Sequence, residues 1–176
     1  MTYWILIAFQ FVTASSVLQN DSPEIQTDKP LVVFAVRHAE KVDASKDPEL
    51  SQAGKERAVK LAEFLRSAKI EYIHSSPYKR TRSTASPIAS KQAIKVQAYD
   101  PRDLPGLVSK IRRIGGRHLI VGHSNTTPDL VKLLGGDPGK PIDEKEEYDR
   151  IYVVTIGSDG KATSILLRYG KSYKSR

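Results

Sequence analysis

The chain has 176 residues, no cysteine and a formal charge of +8, with 39% hydrophobic and 27% charged residues. That length supports one domain with its own buried core, and the missing cysteine excludes disulfide frameworks, thiolate metal centres and thiol nucleophiles. The positive excess favours anionic partners such as phosphorylated substrates; the basic residues are spread without any aromatic-basic motif, so no nucleic-acid partner is expected.

Residues 1–20 contain no Lys, Arg, Asp or Glu. Trp4 to Val12 form an apolar core, and Thr13 to Ser16 are small residues of the kind that precede a signal-peptidase cut. The segment predicts a signal peptide over 1–20, with an uncleaved anchor or a buried helix as alternatives, since no Lys or Arg precedes the apolar core. The apolar run falls short of the ~20 residues that span a bilayer. No stable span therefore remains after cleavage, and the mature chain is expected to be exported, periplasmic or extracellular; without cleavage it stays anchored by its N-terminus. Residues 21–30 are polar, carry Pro23 and Pro30, and read as a linker.

Leu31 to Val36 (LVVFAV) is an unbroken apolar run, the pattern of a fully buried strand, and the chain then turns at once to Arg37, His38, Glu40 and Lys41. In open α/β sheets ligands sit at the carboxyl ends of the strands, so this junction marks a site mouth. Ser51 is the N-cap of a helix whose Ala58, Leu61, Ala62 and Leu65 recur at helical spacing. A strand over Ile70 to His74 follows, and then a helix with Pro77 in its first turn and Ser76 as its cap, which puts Arg80 near the strand end. A short strand at Ile94 to Tyr99 and the loop DPRD lead to an amphipathic helix that ends at Gly115 and Gly116.

Arg117 to Val121 is the next buried strand, delivering Gly122, His123, Ser124 and Asn125 to a helix that starts at Pro128, with Thr127 as its cap, and runs to Leu134. Its N-terminus aims backbone N–H groups at whatever His123 touches, which favours an anion. The acidic run Asp143, Glu144, Glu146, Glu147 and Asp149 reads as a solvated loop. Two further strands flank Asp159-Gly160, a hairpin signal. The alternation predicts an α/β fold: a mostly parallel central sheet, helices on both faces and an antiparallel edge hairpin. The domain spans 31–170, and 171–176 form a polar tail.

Arg37 with His38, Arg80, and His123 thus come from three separate strand ends. Two guanidiniums grip phosphate oxygens with forked, charge-assisted hydrogen bonds, and imidazole serves as nucleophile, acid or donor near neutral pH. A tetrahedral phosphoryl group suits such a pocket. His38, Glu40 and His123 are also residue types that bind zinc or manganese, but two nearby arginines repel a cation, so no metal and no cofactor is expected.

The same residues carry a resemblance. RHAEK after a strand resembles the RHG signature of the histidine phosphatase superfamily, also called phosphoglycerate mutase-like. SSPYKRTRSTA is similar to its SSPLxRAxQTA segment, VGHS to the segment of its second histidine, and LSQAGKERA to its LSxxGxxQA helix start. The likeness covers most of Leu31 to Gly136 in the expected order. It departs at Ala39, where glycine is commonest, and at Arg82-Ser83, neither of which removes a charged site group.

The resemblance implies a three-layer sandwich in which His38 is the phosphorylated nucleophile, while Arg37, Arg80 and His123 hold the phosphoryl oxygens. Ser124 and Asn125 are further substrate-binding candidates. In the mutase-like branch the proton donor is a Glu in the segment after the second Arg; in the phytase-like branch it is an Asp directly after the second His, which Ser124 rules out. The loop Tyr99 to Asp103 makes Asp100 the choice, with Asp103 and Glu40 behind it. Asp100 as a plain turn residue before Pro101 stays open. The implied activity is metal-independent hydrolysis of a phosphorylated small molecule, phosphoprotein or phosphohistidine, releasing inorganic phosphate.

Only 42 residues lie between Arg80 and His123, too few for the cap insertions of phytases or phosphoglycerate mutases. Mutase-type transfer, which must keep water out, therefore fits less well than hydrolysis. A phosphate-binding module without turnover is the other reading.

Overall fold

The computed structural model describes residues 29–173. The signal segment over 1–20, linker residues 21–28 and tail residues 174–176 lie outside the described residues. In chain order the elements are β1 (Leu31–Arg37), α1 (Gln52–Phe64), β2 (Tyr72–Ser75), α2 (Lys79–Gln92), β3 (Val96–Ala98), α3 (Leu104–Ile114), β4 (Gly116–Gly122), α4 (Thr126–Leu133), β5 (Arg150–Ile156) and β6 (Ala162–Arg168). They build one six-stranded sheet of order β3-β2-β4-β1-β5-β6. Its first four strands are parallel, and β5 and β6 run antiparallel at the other side.

Register decides where the chemistry stands. Arg37 pairs with Gly122, Ser75 with Val121, and Ser75 with Ala98, so four parallel strands end level with one another. Alternation along those strands divides the core into two layers. Val33, Ala35, Ile120 and Tyr152 face Leu107 and Ile111 of α3, Leu130 of α4 and Leu134 just beyond it. Val36, Leu119, Val121 and Ile151 face Leu61 of α1, Leu65 just beyond it, and Ala85 and Ile88 of α2. Strands buried on both faces need near-continuous apolar runs, which is why LVVFAV reads as it does.

Ser51 caps α1, its side chain accepting from the Gly54 N–H at 3.1 Å. Gly115 ends α3 with φ 64°, a backbone conformation that side chains with a Cβ resist. Two expected caps are corrected. Helix α2 begins after Tyr78 rather than at Pro77, and its first N–H, on Lys79, donates to Asp47 Oδ1 at 2.9 Å, so a carboxylate from a distant loop serves the helix end. Helix α4 begins at Thr126 after Asn125, and Thr127 instead donates to the Val36 carbonyl at 3.3 Å, tying α4 to β1. Among the described residues no helix is long and apolar enough to cross a membrane.

Candidate active site

The turn that leaves β1 is fixed from two sides. The His38 N–H donates to the Gly122 carbonyl at 2.9 Å, and the Ala39 N–H to Thr84 Oγ1 of α2 at 2.9 Å. The His38 Nδ1 lies 2.8 Å from the Ala39 carbonyl, which only accepts, so Nδ1 carries the hydrogen and Nε2 carries the lone pair. His38 is buried, and desolvation lowers its pKa to about 3, with the charges of Arg37, His123 and Arg80 adding to the effect against the Ala39 hydrogen bond. An imidazole held neutral with Nε2 free is a nucleophile ready at neutral pH.

His123 leaves β4 beside it, the two rings 5.4 Å apart and steeply inclined. Its Nδ1 is 3.4 Å from Arg80 Nη2, and a guanidinium cannot accept, so the hydrogen sits on Nε2 and is donated to Ser76 Oγ at 2.9 Å. Ser76 is held in turn by Thr81 Oγ1 at 2.9 Å. Serine 76, expected as a helix cap, is thus a brace for the second histidine. Burial, then Arg80, Arg37 and Lys41, bring the His123 pKa down to about 4. Tyr78 meets the His123 ring edge-on at 5.1 Å, and Arg80 lies over the Tyr78 ring at 4.4 Å. No side chain would fit at Gly122, where a Cβ would meet Thr127 Oγ1 at 2.9 Å and the Tyr99 hydroxyl at 3.0 Å.

Arg37, expected to grip phosphate with an open fork, does not line the cavity that opens over His38. Its Nη1 donates to the carbonyls of Asp143 and Glu147 at 3.0 and 2.9 Å, and its Nη2 to that of Glu144 at 2.6 Å. The guanidinium also lies over the Tyr148 ring at 4.0 Å. A guanidinium has five N–H donors. Three are therefore taken by main chain, and Nε is buried without a partner.

The acidic run is a solvated loop only in part: Glu144 and Glu146 are exposed, but Glu147 and Asp149 are buried. Glu147 is 2% exposed and accepts from Arg150 at 2.7 and 2.8 Å, from Arg168 at 3.0 Å and from the Asp143 N–H at 3.1 Å. Asp149, fully buried, accepts from Arg168 at 2.6 Å and from the Tyr173 N–H at 2.9 Å. Cations brought by β5 and β6 offset the desolvation of these carboxylates and fold the run into a clasp around Arg37.

A cavity of about 330 Å³ opens over these groups, lined by His38, Arg80 and His123 together with Ser124 and Asn125. The three proton-donor candidates do not line it. Asp100 is bound by Arg102 through Nε at 3.0 Å, Nη2 at 2.9 Å and the backbone N–H at 3.0 Å, and these hydrogen bonds hold its pKa below the usual carboxylate range, so it stays ionised. Asp103 caps α3, accepting from the Gly106 N–H at 2.9 Å. Both oxygens of Glu40 accept from Arg57 Nε, at 2.9 and 3.0 Å. Among the described residues no cluster of three His, Cys, Asp or Glu could hold a metal ion.

Sequence reasoning missed Tyr78, Lys41, Arg102 and Glu144 as cavity residues. Tyr78 and Lys41 belong to the motif segments themselves, which is the signal that could have found them; nothing local marks Glu144.

The sequence profile of the histidine phosphatase superfamily (branch 1) matches residues 33–101, which hold Arg37, His38 and Arg80. No curated protein matches the chain. Among solved structures, the protein histidine phosphatase SixA complexed with tungstate aligns with TM-score 0.61 and 20% identity, over 78% of this chain and 97% of that one. Phosphoglycerate mutase from Bacillus anthracis str. Sterne aligns with TM-score 0.64 and 15% identity, over 82% and 95%. The alpha-ribazole phosphatase from Shigella flexneri gives TM-score 0.64 and 14% identity, over 78% and 96%. At these identities the likeness is one of fold.

Proposed function

The chain belongs to the histidine phosphatase superfamily, and on that premise we propose that it hydrolyses phosphomonoesters, including phosphoprotein or phosphohistidine, through a covalent phosphohistidine on His38. The observation that carries this reading is a set of orphaned donors. Arg37 Nε, Arg80 Nε and Arg80 Nη1 are buried without hydrogen-bond partners, and both guanidiniums are close enough to depress the His38 pKa. A buried N–H left unpaired costs about 1–3 kcal/mol. A tetrahedral oxyanion beside His38 would pair with the Arg80 donors, since Arg80 lines the cavity, while Arg37, outside its lining, acts on the site through its charge. That the similarly folded SixA was solved with tungstate, itself a tetrahedral oxyanion, supports the same reading.

In the proposed first step the His38 Nε2 lone pair attacks phosphorus. The bond from phosphorus to the leaving atom breaks, and its electrons stay with the leaving group. Water then attacks the phosphohistidine, the P–N bond breaks back to His38, and inorganic phosphate departs. Arg37 and Arg80 stabilise the charge on the equatorial oxygens in both steps. With Asp100, Asp103 and Glu40 all engaged elsewhere, leaving groups that depart without a strong acid, such as phosphohistidine or an aryl phosphate, are favoured.

The test is turnover of an aryl phosphate in EDTA, together with rapid quench for an acid-labile phosphoenzyme that His38→Ala lacks. A folded wild type inactive on a broad phosphoester panel overturns the proposal. The engaged carboxylates also favour a second reading, a phosphate-binding module without turnover. Vanadate binding with no phosphoenzyme would establish that instead. We further propose that the protein is exported, on the uncharged first 20 residues. N-terminal sequencing decides it, and an intact Met1 in a cytosolic fraction overturns it.

A further inference from the structure

The phosphoryl site just proposed uses the charges of Arg37 and Arg80, which match a phosphomonoester dianion. One cation of the same cavity is then left over. Lys41 follows the strand-end turn by three residues beyond His38, its backbone paired with Leu50, and its half-buried side chain lines the cavity wall. Among the described residues no salt bridge or hydrogen bond engages its ammonium, although its charge also helps to lower the pKa of the exposed Asp43 carboxylate two residues on. Its charge is nonetheless felt in the site, since it contributes to holding His123 neutral.

The other charges of the lining are committed. Arg102 is neutralised by Asp100 at 2.9 Å. Arg80 faces Asp47 at 3.7 Å on one side and the phosphoryl position on the other. Glu144, the one carboxylate among the lining residues, acts electrostatically on Arg37 and Tyr148. Once a dianion sits over His38, Lys41 is the cation of the lining that no salt bridge engages, and any second anionic group of a phosphomonoester belongs to its leaving group.

We infer that Lys41 is a specificity-determining residue that binds a second anionic group on the leaving-group side of the substrate. The substrate class is then a phosphomonoester that carries a carboxylate or a second phosphate close to the reacting phosphoryl. The inference rests on the phosphoryl reading of the cavity but not on turnover. A half-exposed ion pair of this kind gives a modest preference, about three- to fivefold in affinity.

The test is calorimetric binding of three non-hydrolysable probes: phenylphosphonate, 3-phosphonobenzoate and benzene-1,3-diphosphonate. The wild type is expected to bind at least one of the two diacids about three- to fivefold more tightly than phenylphosphonate. Which of the two gains more tells a carboxylate from a second phosphate. In Lys41→Gln that preference should fall to about one, and in Lys41→Glu it should invert, an outcome that a purely structural role for Lys41 does not produce. Arg102→Gln should lower the preference less than Lys41→Gln does. Equal affinity for all three probes in the wild type, or a preference that survives Lys41→Glu, overturns the inference while leaving the phosphoryl site intact. Failure of all three probes to bind overturns the phosphoryl reading itself, and this inference with it.

Discussion

His38 with His123 and His74 with His118 are two histidine pairs built from one sheet. Their ring separations are nearly equal, 5.4 and 5.2 Å, and burial lowers the pKa of all four rings, to about 3 for both His38 and His74. Their surroundings differ. In the inner pair the rings stack, His118 Nε2 donates to the Gly115 carbonyl at 2.9 Å, and His74 Nε2 therefore donates to His118 Nδ1 at 3.0 Å. Tyr72 covers the far side at 4.7 Å. In the outer pair the rings are inclined, Tyr78 meets His123 edge-on rather than stacked, and an open cavity lies over both rings with the unpaired donors of Arg80 in its lining. Burial alone makes a histidine neutral. A neutral histidine becomes a candidate nucleophile only where its lone pair faces a cavity and cations wait for the charge it will move.

The contrast breaks most sharply on activity. His38→Ala should lower kcat/KM on an aryl phosphate by at least about 10³-fold, the scale of losing a covalent nucleophile, and should abolish the acid-labile phosphoenzyme. If His38→Ala keeps wild-type turnover, the outer pair is no more reactive than the inner one. Arg80→Ala removes two of the orphaned donors and should cost about 10²-fold in kcat/KM; an unchanged rate would mean those donors serve no oxyanion.

The inner pair should answer in stability instead. His118→Ala leaves His74 Nε2 unpaired in a cavity and should cost about 2–4 kcal/mol by urea unfolding, while kcat on the same substrate stays at the wild-type value. A fall in kcat with little loss of stability would erase the distinction between the pairs.

Acid sharpens the comparison further. The folded pKa of His74 is about 3, against about 6.5 for a free histidine, so between those values the unfolded chain binds a proton that the folded chain refuses. Stability from this group is complete above about pH 6.5 and is lost as pH falls toward 3. Between pH 7.5 and 5 the loss from one such ring is about 2 kcal/mol. In His74→Leu the pH-dependent loss over that interval should shrink by about this amount; an unchanged pH dependence would show that the ring titrates normally. For His38 the same depression means that kcat/KM, corrected for ionisation of the substrate, should show no acid limb near pH 6.5.

Much of this was written locally. Ser51 capping α1, the amphipathic stripe of α3 and the hairpin at Asp159-Gly160 all depend on residues within a turn of one another, and all are present as read. The resemblance carried Arg37, His38, Arg80 and His123 to one end of the sheet, where register then set them level. Where reading failed, the partner was far away. Ser76 and Thr127 look like caps to their neighbours, yet one bonds His123 and the other the Val36 carbonyl. Asp100 is the exception, a carboxyl in a loop that a local partner engages, since Arg102 two residues on folds back on it.

The sequence by itself determined the alternation of buried strands and amphipathic helices and the strand ends at which the charged motifs fall, because periodicity and capping are decided between near neighbours. Only the tertiary structure decided which donors each arginine keeps. Arg37 meets carbonyls more than a hundred residues along the chain, and Glu147 meets Arg168 from the edge strand. Such pairings form because a buried charge must find a partner wherever the fold brings one, and no local pattern encodes where that is.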